Sequence, residues 1–199
     1  MTDHIHPTEH PESDHVREGG FTLWFTGLSG SGKTTIAHLV GPELDERGLI
    51  VEYLDGDVVR THLSKGLGFS KEDRDAHIER VGWVASRLTR HGGAVIVAAI
   101  SPYEATRAKA RAMVEEFGPF VEIYVQASVD ECARRDVKGL YAKAFAGEIK
   151  EFTGVSDPYE EPESAEIVVD TEAHDPDESA ALIVSKLEEL GIVRPRVPA

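Results

Sequence analysis

One cysteine, Cys132, is all that the 199 residues contain, so no disulfide can close within the chain and no cysteine pair can found a structural zinc site. Helix packing is the role left to that thiol. Long apolar runs are also missing: nothing approaches the ~20 residues of a membrane span, and the first 20 residues are polar with no apolar signal core. A cytoplasmic protein that does not engage membranes is expected. Basic residues are scarce, 21 Lys and Arg against 36 Asp and Glu, and the formal net charge of −15 argues against nonspecific nucleic-acid binding, which needs a basic face to meet a polyanion. The scarcity is uneven. From Glu151 to Glu178 there is no lysine or arginine, while Arg134, Arg135, Lys138, Lys143 and Lys150 cluster just before. That cluster is either a local patch that draws an anionic substrate or an ordinary solvated helix face.

The hydrophobic content, 41%, and the length suit one well-packed domain. Residues 1–20 have little to bury and read as a disordered tail, carrying His4, His6, His10 and His15 and ending in Gly19-Gly20. These histidines lack the fixed spacing and rigid element that a metal site requires. The domain is expected over 21–193, with a short tail at 194–199.

The most specific pattern is Gly27-Leu28-Ser29-Gly30-Ser31-Gly32-Lys33-Thr34, a match to the phosphate-binding loop G-x-x-x-x-G-K-[ST]. It lies between an apolar, β-rich run, Phe21 to Thr26, and a helix opening with Thr35 and Ile36, the strand-loop-helix order that the loop needs. Its glycines let main-chain N–H groups and the positive helix end approach a polyphosphate. Lys33 would reach the β- and γ-phosphates of a nucleoside triphosphate, and Thr34 would ligate Mg²⁺.

Strand and helix signals then alternate. Leu49 to Leu54 reads as a strand ending at Asp55-Gly56-Asp57, and Ser70 starts an amphipathic helix reaching about His91, stopped by Gly92-Gly93. The wholly apolar Ala94 to Ile100 reads as a central strand covered on both faces. A helix near Tyr103 to Phe117, a strand from Phe120 to Val125, a short helix with a Ser128/Glu131 capping box, a strand at Ile167 to Val169 and a helix from Pro176 to Leu190, capped by Asp175, complete the pattern. The fold class is α/β: a parallel sheet between helix layers, the three-layer architecture of phosphate-loop nucleotide kinases.

Ligands of such sheets sit beyond the carboxyl ends of the strands. Four such places carry chemistry: the phosphate loop, Asp55-Gly56-Asp57, Ser101-Pro102-Tyr103, and the segment from Arg135 to Thr153. Many nucleotide triphosphatases close the central apolar strand with an aspartate for Mg²⁺, but Ser101 holds that place here. The carboxylates must come from Asp55 and Asp57, one assisting Mg²⁺ and the other taking a proton from an attacking hydroxyl. A plain Asp-Gly turn is the alternative.

Taken with Leu67-Gly68-Phe69-Ser70, Asp73-Arg74, Ile100-Ser101-Pro102-Tyr103, Arg135 to Tyr141 and Gly147 to Gly154, these motifs make the chain resemble the adenylylsulfate kinase family over roughly Phe21 to Val193. The resemblance implies transfer of a phosphoryl group from ATP, with Mg²⁺, to the 3′-hydroxyl of adenosine 5′-phosphosulfate in sulfate assimilation. It implies that Gly27 to Thr35 bind ATP and that Lys33, Asp55 and Asp57 are catalytic, with Thr34 and Asp55 on the metal. Asp57, Arg60, Phe69, Arg74, His77, Ile100, Ser101, Lys138, Leu140 and Phe152 would bind adenylylsulfate. Phe69 and Phe152 would flank its adenine, since stacking requires only a planar face, and Arg60 and Arg74 would hold the phosphosulfate with forked guanidinium groups. Core packing for the aromatics and surface ion pairs for the arginines are the bland alternatives. Residues 135–153 would form a lid that excludes water. Ser101 matches a serine regarded as a phosphoryl acceptor in the family, yet in-line transfer needs no covalent intermediate, and capping the turn before Pro102 serves equally. A homodimer is implied, and an ATP sulfurylase partner would be a separate polypeptide.

Four residues depart from the family pattern: His77 replaces an asparagine, Glu79 and Phe145 replace arginines, and Val58 replaces an asparagine. A carboxylate at position 79 facing the anion would repel it, so weaker adenylylsulfate binding is expected. A kinase of another small hydroxylated substrate, and a nucleotide-binding regulator without activity, stand as the competing readings.

Overall fold

The structure, a computed structural model, describes residues 19–196. The histidines of the expected N-terminal tail lie outside the described residues. Five parallel strands form one sheet: β1 (Phe21–Thr26), β2 (Val51–Asp55), β3 (Ala94–Ala98), β4 (Phe120–Gln126) and β5 (Ile167–Asp170), in the order β2-β3-β1-β4-β5. The connecting helices are α1 (Lys33–Asp45), α2 (Gly56–Leu63), α3 (Lys71–Arg90), α4 (Glu104–Glu115), α5 (Val129–Arg135), α6 (Leu140–Phe145) and α7 (Pro176–Glu189). β1, not β3, is the middle strand; β3 is interior and ends at Ala98, two residues before the apolar run does. Ala99 and Ile100 are apolar because they turn across a covered sheet edge, a use of hydrophobic residues that strand patterning cannot separate from the strand itself.

Alternation along β1 divides the core. Phe21, Leu23 and Phe25 face Ile36, Val40 and Leu44 of α1 and Ile183 and Leu187 of α7. Trp24 faces the other way, into Ile78, Val81 and Ala85 of α3 and Ala110 and Val114 of α4. Each such large side chain taken from water contributes about 1.5–3 kcal/mol, and together they fix the register, because a one-residue slip would turn Trp24 into the wrong layer.

Helix ends follow their local chemistry. Ser70 accepts from the Asp73 amide, and Asp175 with Glu178 forms a reciprocal capping box behind Pro176. The box expected at Ser128 is only half made: Ser128 Oγ accepts from the Glu131 amide, but Glu131 spends its carboxylate on Arg134 and Arg135, and Glu172 Oε1 accepts from the Ser128 N–H at 2.7 Å instead. The alternative of a plain Asp-Gly turn after Asp55 does not describe the chain, which coils there into α2 with Asp55 as its N-cap.

The connections of β1 and β3 lead to opposite edges of the sheet, β1 toward β2 and β3 toward β4, so a crevice opens between their carboxyl ends. Both the phosphate loop and the Ser101 turn border it.

The packed body begins at Gly20, which is buried, whereas Gly19 beside it is exposed. A Cβ on Gly20 would stand 2.2 Å from the Thr89 carbonyl oxygen and 2.7 Å from that of Gly93, both rigid backbone; at Gly19 nothing lies within 4 Å. Gly20→Ala is therefore expected to lower stability by about 1–3 kcal/mol and Gly19→Ala to leave it unchanged. Thermal melts of the two variants check this, and equal melts would show that the strand entry is not tightly packed.

Candidate active site

Gly27 turns out of β1 with φ 145°, and a Cβ there would meet the Val125 carbonyl oxygen at 2.4 Å, so the loop can begin only with glycine. The loop ends at the N-terminus of α1, whose first residue is Lys33. The Lys33 ammonium donates to the Gly27 and Leu28 carbonyls at 2.9 and 2.7 Å, inside its own loop. Burial pushes its pKa down to about 8; Lys138 pushes the same way, while Cys132, Asp55 and Asp57 pull against it. Thr34 Oγ1 donates to Asp55 Oδ2 at 2.9 Å, and the other oxygen of Asp55 accepts from the Asp57 amide at 3.0 Å. One carboxylate thus ties the phosphate loop to the start of α2. An exposed hydroxyl and carboxylate in contact are oxygen donors of the type that suits Mg²⁺, which takes one or two protein ligands and leaves the rest to phosphates and water.

Residues 135–153 arch over this edge. Asp136 caps α6 through the Tyr141 and Ala142 amides, and the Tyr141 hydroxyl donates to the Ser29 carbonyl at 2.9 Å, fastening the arch to the phosphate loop. Cys132, Tyr141, Leu28 and Ala127 form a small apolar cluster under it, so the expectation of a packing role for Cys132 holds. Burial pushes the Cys132 thiol up. Lys138 reaches across to the Asp57 carboxylate, both groups well exposed. An exposed pair of this kind contributes about 0–1 kcal/mol and opens readily.

On the other side of Asp57 the structure gathers the expected acceptor residues. Arg60 donates to the Gly68 carbonyl at 2.7 Å and lies 4.4 Å over the Phe69 ring, which is itself exposed. Burial lowers the pKa of Arg60, and the neighbouring positive charge of Arg74 lowers it further. Arg74 donates to the Phe69 carbonyl at 2.7 Å and, through its other nitrogens, to Thr153 Oγ1 and the Glu151 carbonyl. One guanidinium therefore bridges the Phe69 loop and the Phe152 segment. Phe152 meets Tyr141 edge-on at 4.9 Å and is only partly buried. Leu140, at the start of α6, is likewise partly buried.

Of the two departures on α3, Glu79 does not face the expected anion and His77 lies inside the fold. His77 is buried, not solvated; its Nδ1 meets Ser64 Oγ at 2.8 Å, and burial, with Arg60 and Arg80 nearby, holds its pKa down to about 4. Glu79 pairs with Lys109 at 2.6 Å across the outer face of α3 and α4, so it is not aimed at an anion near Arg74. Val58 and Phe145 are exposed.

The Ser101 hydroxyl is also out of reach. Ser101 is 2% exposed, and its Oγ accepts from Trp24 Nε1 at 3.0 Å and faces the Ala99 carbonyl at 3.3 Å. The Ile100 carbonyl accepts from Thr26 Oγ1 at 2.7 Å. Among the described residues no three His, Cys, Asp or Glu side chains come together as a metal cage.

One region was not anticipated. A cleft of about 690 Å³ lies between Gly30–Gly32, Arg134 and Arg135 on one side and residues 171–175 on the other. Thr171 Oγ1 donates to the Ser31 carbonyl at 3.1 Å, and Arg135 donates to the Thr171 carbonyl at 2.7 Å. The rule that ligands gather beyond strand ends would have found it, had it been carried on to β5.

The profile of the family Adenylylsulphate kinase matches residues 19–170. The adenylyl-sulfate kinase of Picosynechococcus sp. is 54% identical over 176 residues, covering 88% of this chain and 98% of the relative. The probable bifunctional SAT/APS kinase 2 of Sorangium cellulosum is 56% identical over 174 residues, and there the chain spans 87% of its own length but 29% of the relative's. Among solved structures, the Mycobacterium tuberculosis APS kinase CysC in complex with AMPPNP and APS superposes with a TM-score of 0.81 at 44% identity, covering 85% of this chain and 98% of that one. With a phosphate loop and paired arginines at one sheet edge and matches of this extent, the chain belongs to the adenylylsulfate kinase family of phosphate-loop kinases.

Proposed function

We propose that this chain transfers the γ-phosphoryl group of ATP to the 3′-hydroxyl of adenosine 5′-phosphosulfate, releasing ADP and 3′-phosphoadenylylsulfate. The observation that carries the reading is the placement of Asp57 between the two halves of the site: its amide is tied through Asp55 to Thr34 of the phosphate loop, and its carboxylate meets Lys138 of the lid. The ATP phosphates would lie along Gly27 to Thr35, with the nucleoside in the cleft beside residues 171–175. Adenylylsulfate would lie against Phe69 and Phe152, its anionic groups facing Arg60 and Arg74, whose mutual repulsion an anion relieves. The main chain at Ile100 and Ser101 and the side chains of His77, Lys138 and Leu140 would border the same pocket.

In the reaction the acceptor 3′-oxygen bonds to the γ-phosphorus as the bond from that phosphorus to the β,γ-bridging oxygen breaks, and the hydroxyl proton passes to Asp57. Lys33 leaves the Gly27 and Leu28 carbonyls for the phosphate oxygens. Thr34 and Asp55 would hold Mg²⁺, which supplies neutralisation of phosphate charge. The lid, closed through Tyr141 on Ser29, keeps water from competing with the sugar hydroxyl. A homodimer, a cytoplasmic location and a separate ATP sulfurylase as supplier of the acceptor belong to the same proposal. ADP release measured with Mg-ATP and adenylylsulfate, with other hydroxylated acceptors in parallel, tests it. Adenylylsulfate-dependent ADP and a product carrying a 3′-phosphate are expected; ADP formation indifferent to adenylylsulfate would reject the reading.

Two predictions concern the machinery. The buried ammonium of Lys33 has largely lost its proton by about pH 9, whereas phosphates favour its charged form, so nucleotide binding there takes up a proton. Calorimetry of Mg-ATP binding without acceptor, in buffers of different ionisation enthalpy, is expected to show uptake approaching one proton at about pH 9 and much less at about pH 7. Uptake that persists in Lys33→Met would assign the proton to another group. Ser101→Ala is expected to retain turnover within about threefold of wild type while melting earlier, because a buried Trp24 donor loses its acceptor at a cost of about 1–3 kcal/mol. Complete loss of turnover in a folded variant would instead make the hydroxyl a participant.

A further inference from the structure

Ser101 sits at φ 41°, the left-handed region that a residue with a side chain adopts only when its surroundings enforce it. Three successive carbonyls of this turn are each claimed by a different element. The Ile100 oxygen accepts from Thr26 of β1, the Ser101 oxygen from Arg107 Nη1 of α4 at 2.9 Å, and the Pro102 oxygen from the Glu160 amide at 2.8 Å, in the segment that follows the lid. Thr26 also meets the Tyr159 hydroxyl at 2.9 Å, and Tyr103 at the end of the turn donates to Asp157 at 2.8 Å. The turn is thus a junction between the strand that feeds the phosphate loop and the return path of the lid.

Arg107 is the unusual member. It is 1% exposed, a full charge inside the core, with Glu122 of β4 beneath it at 2.7 Å and itself 4% exposed. The Arg107 Nε–H is not aimed at that oxygen, and neither atom has another hydrogen-bond partner, so their contact is coulombic. Glu104 engages a second nitrogen, and the Tyr159 ring lies 6.0 Å away. Glu122 is further linked to Arg111, which pairs with Glu166 at 2.8 Å. Burying an ion pair with incomplete hydrogen bonding gives no advantage in stability over apolar residues of the same volume. What an apolar pair would lose is the donor held on the Ser101 carbonyl.

We infer that Arg107, seated on Glu122, is a positioning residue for the acceptor subsite: it holds the Ile100–Pro102 turn in its left-handed form and thereby sets the pocket wall that adenylylsulfate meets. The inference rests on the function proposed above. It makes Arg107 act on acceptor binding through Ser101, without touching substrate and without touching the ATP cleft near residues 171–175.

The test compares wild type, Arg107→Met, and the double variant Arg107→Met with Glu122→Met, reading KM for adenylylsulfate, KM for ATP, kcat and the thermal melt. Arg107→Met is expected to raise the acceptor KM at least tenfold, to leave the ATP KM within twofold, and to melt earlier because the buried Glu122 loses its nearer cation and keeps only Arg111 at 3.5 Å. The double variant is expected to recover most of the melting temperature and none of the acceptor KM. Recovery of both, or an unchanged acceptor KM in Arg107→Met, would overturn the inference and leave Arg107 a packing residue. Should the single variant fail to fold, the double variant carries the comparison; should both fail, Arg107→Lys does, with an acceptor KM between wild type and tenfold expected and an unchanged one contradicting. A wild-type protein inactive with adenylylsulfate would instead remove the functional reading itself.

Discussion

An ammonium group held out of water at the end of the middle strand is the constraint from which the active edge follows. Lys33 can be buried only because two carbonyls of its own loop receive it, and those carbonyls face inward only because Gly27 turns where no side chain fits. The arrangement keeps the Lys33 ammonium inside the loop, beside the start of α1 whose end carries a partial positive charge. A polyphosphate answers both needs at once, offering Lys33 better partners than carbonyls and the loop amides an anion. Burial lowers the pKa of Lys33, so an anion beside it favours the charged form.

Around that centre, weak contacts do the coupling. The exposed Lys138–Asp57 pair, the Tyr141 hydroxyl on Ser29, and Arg74 between the Phe69 loop and Thr153 each join the lid to a different part of the site. Strong pairs here would lock the lid. The Lys138–Asp57 pair, exposed and worth about 1 kcal/mol or less, is one that an incoming anion can replace. Behind residues 135–153 the ties are firmer, since Tyr103 with Asp157 and Thr26 with Tyr159 are largely shielded from water and anchor the segment that follows.

What the sequence disclosed was whatever depends on neighbours along the chain. The phosphate loop, the Ser70 and Asp175 caps and the buried strand β1 could all be read, because glycine at a forced turn, a short acceptor at a helix start and an apolar, β-rich run are local. Residues placed by tertiary contacts could not. Glu79 looked like a repulsive charge until α4 brought Lys109 beside it, and nothing local to His77 announced the Ser64 hydroxyl that closes over it. The Ser101 turn is the clearest case, since Trp24 and Thr26 of β1, Arg107 of α4 and Glu160 reach it from three separate stretches of sequence. The half-made cap at Ser128 has the same cause, an acid 44 residues away taking the place of the local one.

The central claim is geometric: two nucleotides meet at Lys33 and Asp57, with Lys138 released from Asp57 as they do. The most direct measurement is a crystal structure of the protein with Mg²⁺, a non-hydrolysable ATP analogue and adenylylsulfate. The account predicts an acceptor 3′-oxygen in hydrogen-bond contact with the Asp57 carboxylate and about 3–3.5 Å from the γ-phosphorus, opposite the bond to be broken. An acceptor ribose lying away from Asp57, with Lys138 still bound to that carboxylate, would contradict it.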